Sequence, residues 1–444
     1  MALRDLLIAG ILAVGLLATF RHAFIGVLLW TWVSIMNPHK LAYGFTHDAP
    51  IAAVVAGVTL IALMTTRDRV KPVFPPPLVF LILFLSWTVV TTFFAFYSSD
   101  SLVDLNRFAK IVLMLLVTAA VLHSKKHIRL FVWINALSLG FYGLKGGIFT
   151  ILTGGGHRVW GPPGGFIEGN NELALALIVS IPLMNYLRMT TPYPWVKRFL
   201  LLMMAMSAVA AAGTQSRGAF LAMAAMGGFM WWRSPRKLPG LVVTVVAAVA
   251  LLAFMPQSWH DRMSTIQTYQ DDGSAMGRIH AWQTAANVAN DRIFGAGYSM
   301  YSQSVFNIYS PSGSNSAFDA SIARAAHSIY FQVLGEHGYI GLFLFMMIWL
   351  TAWGIAGRLR KIGNDPPQAA WLHPLASMLQ VSLVGYAVGG AFLSLAYFDL
   401  PYNVVLTLVV AQRWRSEYAG APDSMTPETT QRSSSRLMNW INTA

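Results

Sequence analysis

Arg217 sits in Thr214-Gln215-Ser216-Arg217-Gly218, a tight turn between two apolar runs, so its head group falls at the edge of the hydrocarbon. A guanidinium there snorkels and anchors a helix end, or offers its planar donor fork to a phosphate. Arg278 stands four residues before Trp282 and shares a helical face with it. Stacking on the indole would explain it structurally, and anion binding would explain it chemically. Arg158 lies in the glycine-rich run from Gly154 to Gly165. Glycines let a backbone approach a phosphate, although a rigid outer loop is the simpler reading, and the Gly-x-x-x-x-Gly-Lys-Ser/Thr pattern of nucleotide binding is absent. His327, in Ala326-His327-Ser328, stands where a long polar connection re-enters apolar sequence. A neutral imidazole at that boundary takes a proton from a hydroxyl, or simply caps the interface.

His337 follows ten residues later, about 15 Å deeper if the helix is continuous. The two histidines then cannot serve one reacting atom. Glu336 and His337 inside an apolar run need partners, as do Lys110, Lys145 and Asp399. No metal constellation is visible. His123 and His127 bracket Lys125 and Lys126, whose charge repels a cation, and the chain has no cysteine. There is no Asp-x-Asp and no Gly-x-Ser-x-Gly elbow. The residues therefore describe an arginine-lined site with one histidine, no metal and no cofactor, suited to an anionic lipid-linked substrate.

The elements that must hold these residues are set by composition. Of 444 residues, 55% are hydrophobic and 11% charged, against about 25% charged in a soluble protein. A soluble enzyme and a nucleic-acid-binding module are excluded, and the net charge of +13 reads as basic loops at an anionic lipid surface. Apolar runs near 5–20, 22–37, 50–66, 77–97, 107–123, 130–152, 172–190, 198–212, 218–232, 238–255, 329–356, 374–396 and 401–412 predict an all-α polytopic membrane protein of about twelve spans. The N-terminal run lacks a small-x-small cleavage site and reads as a span, not a signal peptide. Basic residues alternate between loops: Arg67/Arg69/Lys71, Lys125/Lys126/Arg129, Lys197/Arg198, Arg233/Arg236/Lys237 and Arg358/Arg360/Lys361. These loops stay cytoplasmic, so 98–106, 153–171, 213–217, 256–328 and 397–400 face outward. The long outward connection 256–328 carries Arg262, Arg278, Arg292 and Arg324, and is expected to contain short helices. One is an amphipathic helix over 276–290 with Ile279, Trp282, Ala286 and Ala289 on its apolar face, and Ser310–Ser316 reads as a flexible loop. The regions are an N-terminal membrane part, 1–190, a core, 191–412, and a disordered cytoplasmic tail, 413–444.

His327-Ser328 followed by Gly338-x-x-Gly341 resembles the histidine and Gly-x-x-Gly signature of the bacterial O-antigen ligase family, whose superfamily also holds polymerases and protein O-oligosaccharyltransferases. Ser216-Arg217-Gly218 resembles the family's Ser-Arg-Gly turn, and Arg278-x-x-x-Trp282 with Phe294-Gly295-Ala296-Gly297-Tyr298 resembles its Arg…Trp…Gly-x-Gly stretch. Met36-Asn37-Pro38-His39-Lys40, Lys145-Gly146-Gly147 and Trp160-Gly161-Pro162-Pro163 look like the subgroup of O-glycosylation ligases associated with exosortases. The resemblance covers most of residues 1–345. It implies a metal-independent, inverting glycosyltransferase of the inner membrane, with its active site facing the periplasm. The donor it implies is an undecaprenyl-diphosphate-linked glycan, and the acceptor a sugar hydroxyl of lipid A–core during lipopolysaccharide maturation. The family's essential residues fall on Arg217, Arg278 and His327; Arg158, Lys145, Trp282 and His337 are expected to bind substrate around them. His337 stands where the family commonly has a small or apolar residue. The alternatives are a polymerase, a protein O-oligosaccharyltransferase, or a transporter of the same polyprenol lipid, which would show an inverted repeat.

Overall fold

Prolines, small polar residues and left-handed caps divide the apolar runs into helices. Asn37 ends one helix in the left-handed conformation and Pro38 opens a single 3-10 turn, Pro38–Leu41. Ser124 starts another, its side chain accepting from His127 N at 3.1 Å. Prolines occupy the first turns of two more, at Pro76 and Pro194. The computed structural model describes residues 2–66, 70, 73–233, 237–264, 273–298, 300–311, 322–361 and 367–418.

Among the described residues the chain is all-helical, with no strand. The helices are α1 (Ala2–Thr19), α2 (Ala23–Met36), α3 (Ile51–Thr65), α4 (Pro76–Phe93), α5 (Ser98–Val121), α6 (Lys125–Leu152), α7 (Asn170–Thr190) and α8 (Pro194–Gly213). They continue with α9 (Arg217–Arg233), α10 (Lys237–Phe254), α11 (Gln257–Ser264), α12 (Gly273–Asp291), α13 (Gln303–Tyr309), α14 (Ile329–Arg360), α15 (Leu372–Gly390) and α16 (Asp399–Tyr418). Every apolar run named from the sequence falls on one of them. Among the described residues α4, α7, α8 and α14 are long and apolar enough to cross a membrane, while α2 and α3 are apolar but shorter. Helix α7 lies at the centre, buried along most of its length, with α6, α8, α9 and α15 packed around it. Helix α14 packs on α4, α12, α15 and α16.

Several boundaries differ from the sequence reading. The stretch 98–106, expected as an outward loop, forms the first turns of α5, where the exposed Asp104 and Arg107 pair at 4.0 Å across one turn. Residues 413–418, expected in the tail, are helical. Helix α16 runs to Tyr418 because Arg413 is buried and donates to Ala119 O at 2.6 Å and to Leu122 O, covering the C-terminal carbonyls of α5. The 276–290 helix exists as α12 but is rotated. Gly277, His280, Ala281, Thr284, Ala285, Val288 and, as expected, Ala289 face inward, whereas Ile279, Trp282 and Ala286 are half-buried. Small residues let α12 lie close to its neighbours, and the larger side chains sit at the flank. Arg67, Arg69, Lys71, Arg236, most of Ser310–Ser316 and the chain beyond Tyr418 lie outside the described residues.

The largest departure is in α14, which is broken. Gly338 has φ 67° and ψ −172°, a conformation essentially confined to glycine. The break deprives the carbonyls of Gly335, Glu336 and His337 of helical partners. Three groups from elsewhere take them: Ala296 N reaches Gly335 O at 2.9 Å, Gly297 N reaches Glu336 O at 2.9 Å, and Trp87 Nε1 reaches His337 O at 2.8 Å. The Gly-x-Gly and Gly-x-x-Gly stretches are thus two halves of one joint.

Candidate active site

One end of the bundle gathers the end of α6, the start of α7, the turn between α8 and α9, the segment before α14 and the turn after α15. Arg217, Arg278, Arg158 and His327 all lie there.

Arg217 is the first residue of α9. Ser216 caps that helix, its hydroxyl accepting from Ala219 N at 3.3 Å. Gln215 before it holds φ 56°. That turn is clasped from two sides. Asn170 Nδ2, at the start of α7, donates to Thr214 O at 2.8 Å, and Gln215 Nε2 donates to Gly155 O at 3.2 Å. Arg158, on an exposed arch, reaches back to Gln215 Oε1 at 3.4 Å, and Val159 N donates to Gly213 O. The glycine-rich run is therefore a buttress for the Arg217 turn, with Arg158 facing solvent above it. Arg217 itself is half-buried.

Arg278 and Trp282 project from α12. Trp282 stacks on Phe331 of α14, ring centroids 4.9 Å apart, and its Nε1 donates to Ala326 O at 2.7 Å. The indole thereby pins the segment carrying His327 onto α12. His327 has φ 45°, and a non-glycine residue in this region costs about 1–3 kcal/mol. Such strain clusters at functional sites. Its Nδ1 is sheltered from water and has no hydrogen-bond partner among the described residues. Burial, and then the positive charge of Arg278, push the imidazole down to about 4, so it is neutral at neutral pH. Arg278 also exerts its field on Glu172 in the first turn of α7.

The other two residues expected to bind substrate are Lys145 and His337. Lys145 is exposed on α6. His337 is fully buried, with Nδ1 2.7 Å from Thr91 Oγ1 and Nε2 2.9 Å from Tyr397 OH, which in turn donates to Glu336. Gln332 Nε2 approaches the other Glu336 oxygen at 3.4 Å. The costly pair in the apolar run is thus partnered, beside the α14 break. Arg292, another arginine of the long connection, serves architecture: it donates to Phe94 O at 2.6 Å and Gly295 O at 3.1 Å and lies over the Phe96 ring. Glu172 and Arg324 stand among the site residues and were not singled out from the sequence; their signals, a carboxylate in Asn170-Asn171-Glu172 and an arginine three residues before His327, are too common to find them. Among the described residues no group of three or more His, Cys, Asp or Glu converges as metal ligands would.

Residues 201–346 match the family model described as O-antigen ligase, a stretch that includes Arg217, Arg278, Trp282, His327 and the Gly338 joint. Residues 3–191 match a family described only as of unknown function, and no curated protein matches the chain. With its apolar helices, the chain reads as a multi-pass membrane protein, and residues 201–346 carry a region similar to the O-antigen ligase family, whose superfamily joins ligases and polymerases.

Proposed function

We propose that the chain is an O-antigen ligase that moves a glycan from an undecaprenyl-diphosphate carrier onto a sugar hydroxyl of lipid A–core. The observation that carries this is His327: strained, neutral, with an unsatisfied ring nitrogen, and held by Trp282 within the field of Arg278. The hydroxyl oxygen attacks the anomeric carbon as the bond from that carbon to the diphosphate oxygen breaks, which inverts the centre. The hydroxyl proton passes to His327. The leaving diphosphate keeps the electron pair, and Arg217 and Arg278 offset its charge. A diphosphate is already a good leaving group, so guanidinium groups suffice and no metal is required. An imidazole held at about 4 is a weak base in the empty site. The donor's negative charge, set against Arg278, raises its basicity once the donor is bound.

The bundle end holding His327 faces the periplasm of the inner membrane in this reading, with about twelve spans. Loop charge supports that orientation: Lys125/Lys126, Lys197/Arg198, Arg233/Lys237 and Arg358/Arg360 sit at helix ends away from His327. The chain lacks cysteine, so single cysteines placed at residues 157 and 197 can be labelled from either side to test it. The decisive assay mixes membranes holding the protein with purified lipid-linked glycan and lipid A–core. Joined product supports the ligase. Lengthened lipid-linked glycan would make it a polymerase, and no product from either acceptor would remove the transferase reading.

A further inference from the structure

Arg324 lies against α12 immediately beside Arg278. A Cβ on Gly277 would stand 2.9 Å from Arg324 Cδ, 3.2 Å from Nη1 and 3.3 Å from Nε. Only the bare face of Gly277 leaves room for the side chain to rest there. Arg324 is half-buried, and its Nε is sheltered from water with no hydrogen-bond partner among the described residues. Its backbone is fixed: Ala326, two residues on, accepts from Trp282 Nε1 at 2.7 Å, and His327 follows directly.

We propose that Arg324 is a donor-binding residue that forms, with Arg278, a two-sided clamp for a lipid-linked diphosphate. The proposal rests on the donor reading given above. The two side chains spring from different backbones, α12 and the segment entering α14, and Arg324 rests on Gly277, the residue next to Arg278. Two neighbouring guanidinium groups repel until an anion lies between them. A single phosphate is served by one planar fork, whereas a diphosphate presents two sets of oxygens and fits two forks set at an angle. The clamp therefore selects diphosphate over monophosphate and places the leaving group beside His327.

The test uses the full chain purified in detergent, with undecaprenyl diphosphate and undecaprenyl monophosphate as probes of binding. Wild type is expected to prefer the diphosphate. Arg324→Gln should weaken diphosphate binding about 10-fold or more while changing monophosphate binding less than about threefold. Arg324→Lys should fall between, keeping charge without the fork. Gly277→Ala removes no charge and suits a helix better than glycine, yet by displacing the Arg324 side chain it should weaken diphosphate binding in the same direction. It carries the test if Arg324→Gln fails to fold. Undiminished diphosphate binding in both Arg324→Gln and Gly277→Ala, with binding lost in Arg278→Gln, would overturn the clamp and leave the donor reading intact. A wild-type chain with no affinity for either lipid would overturn both.

Discussion

Replacing Gly338 with alanine should dislodge the joint between α14 and the long connection before it. Alanine at φ 67° and ψ −172° costs about 1–3 kcal/mol from the backbone alone. Its Cβ would also lie 2.3 Å from Ile293 O, a contact that backbone must move to relieve. Moving Ile293 shifts Ala296 and Gly297, whose amides hold Gly335 O and Glu336 O at 2.9 Å. Two backbone hydrogen bonds at about 1 kcal/mol each bring the total to roughly 3–5 kcal/mol. The assay is thermal unfolding of detergent-purified protein, followed by loss of the monodisperse size-exclusion peak. Gly227→Ala on α9, where nothing lies within 4 Å of the new Cβ, is the control and should hold or gain stability. If Gly338→Ala melts with wild type, the connection yields freely and its amides are not what supports α14.

Arg217→Lys and Arg278→Lys should each lose about 10²-fold or more in transfer while keeping wild-type expression and melting, because lysine lacks the bidentate fork. His327→Ala should abolish transfer in a folded protein; normal turnover would remove it as the base. His337→Ala should instead lower stability, since it removes two buried hydrogen bonds, to Thr91 and Tyr397, at about 0.5–1.5 kcal/mol each and leaves a cavity in their place; a stable but inactive variant would bring that histidine into the chemistry. Activity should survive EDTA, and full loss restored by one divalent metal would refute the metal-free mechanism. In pH terms, His327 must be neutral to accept a proton, so the acid limb of kcat/KM should fall near pH 4, well below the usual histidine range, and that of kcat should lie higher once donor is bound. Because the unfolded imidazole protonates near 6.5 and the folded one near 4, this residue also makes stability fall as pH drops between those values.

Helix positions were legible because hydrophobic runs and their breakers are local, and each run became a helix. Helix ends were less so: α5 starts nine residues before its apolar run because a polar helix turn looks like a loop in sequence. The face of α12 was legible only at Ala289: Ile279 and Trp282 lie at the flank, and close approach selected Gly277, Ala281 and Ala285. Arg217 and His327 stood out as polar residues at apolar boundaries, and Arg278 by its spacing from Trp282. The reasons for their neighbours did not. That Trp282 pins Ala326 depends on a contact 44 residues apart, and that Arg292 braces the Phe94 turn depends on one 198 apart. Gly338 read as part of a motif, but its left-handed φ follows from what packs on it.

The joint at Gly338 also decides which part of this protein is exchangeable. Although residues 293–298 arrive from the long connection, their amides complete the backbone of an apolar helix long enough to cross a membrane, where a buried open carbonyl would be costly. They are architecturally part of α14. A chimaera that swaps the connection for a relative's should therefore place its seams within 256–291 and 300–326 and leave 293–298 with its own helix. Substrate choice can then be redesigned on α11, α12 and α13 as an insert, provided its anchor stays native.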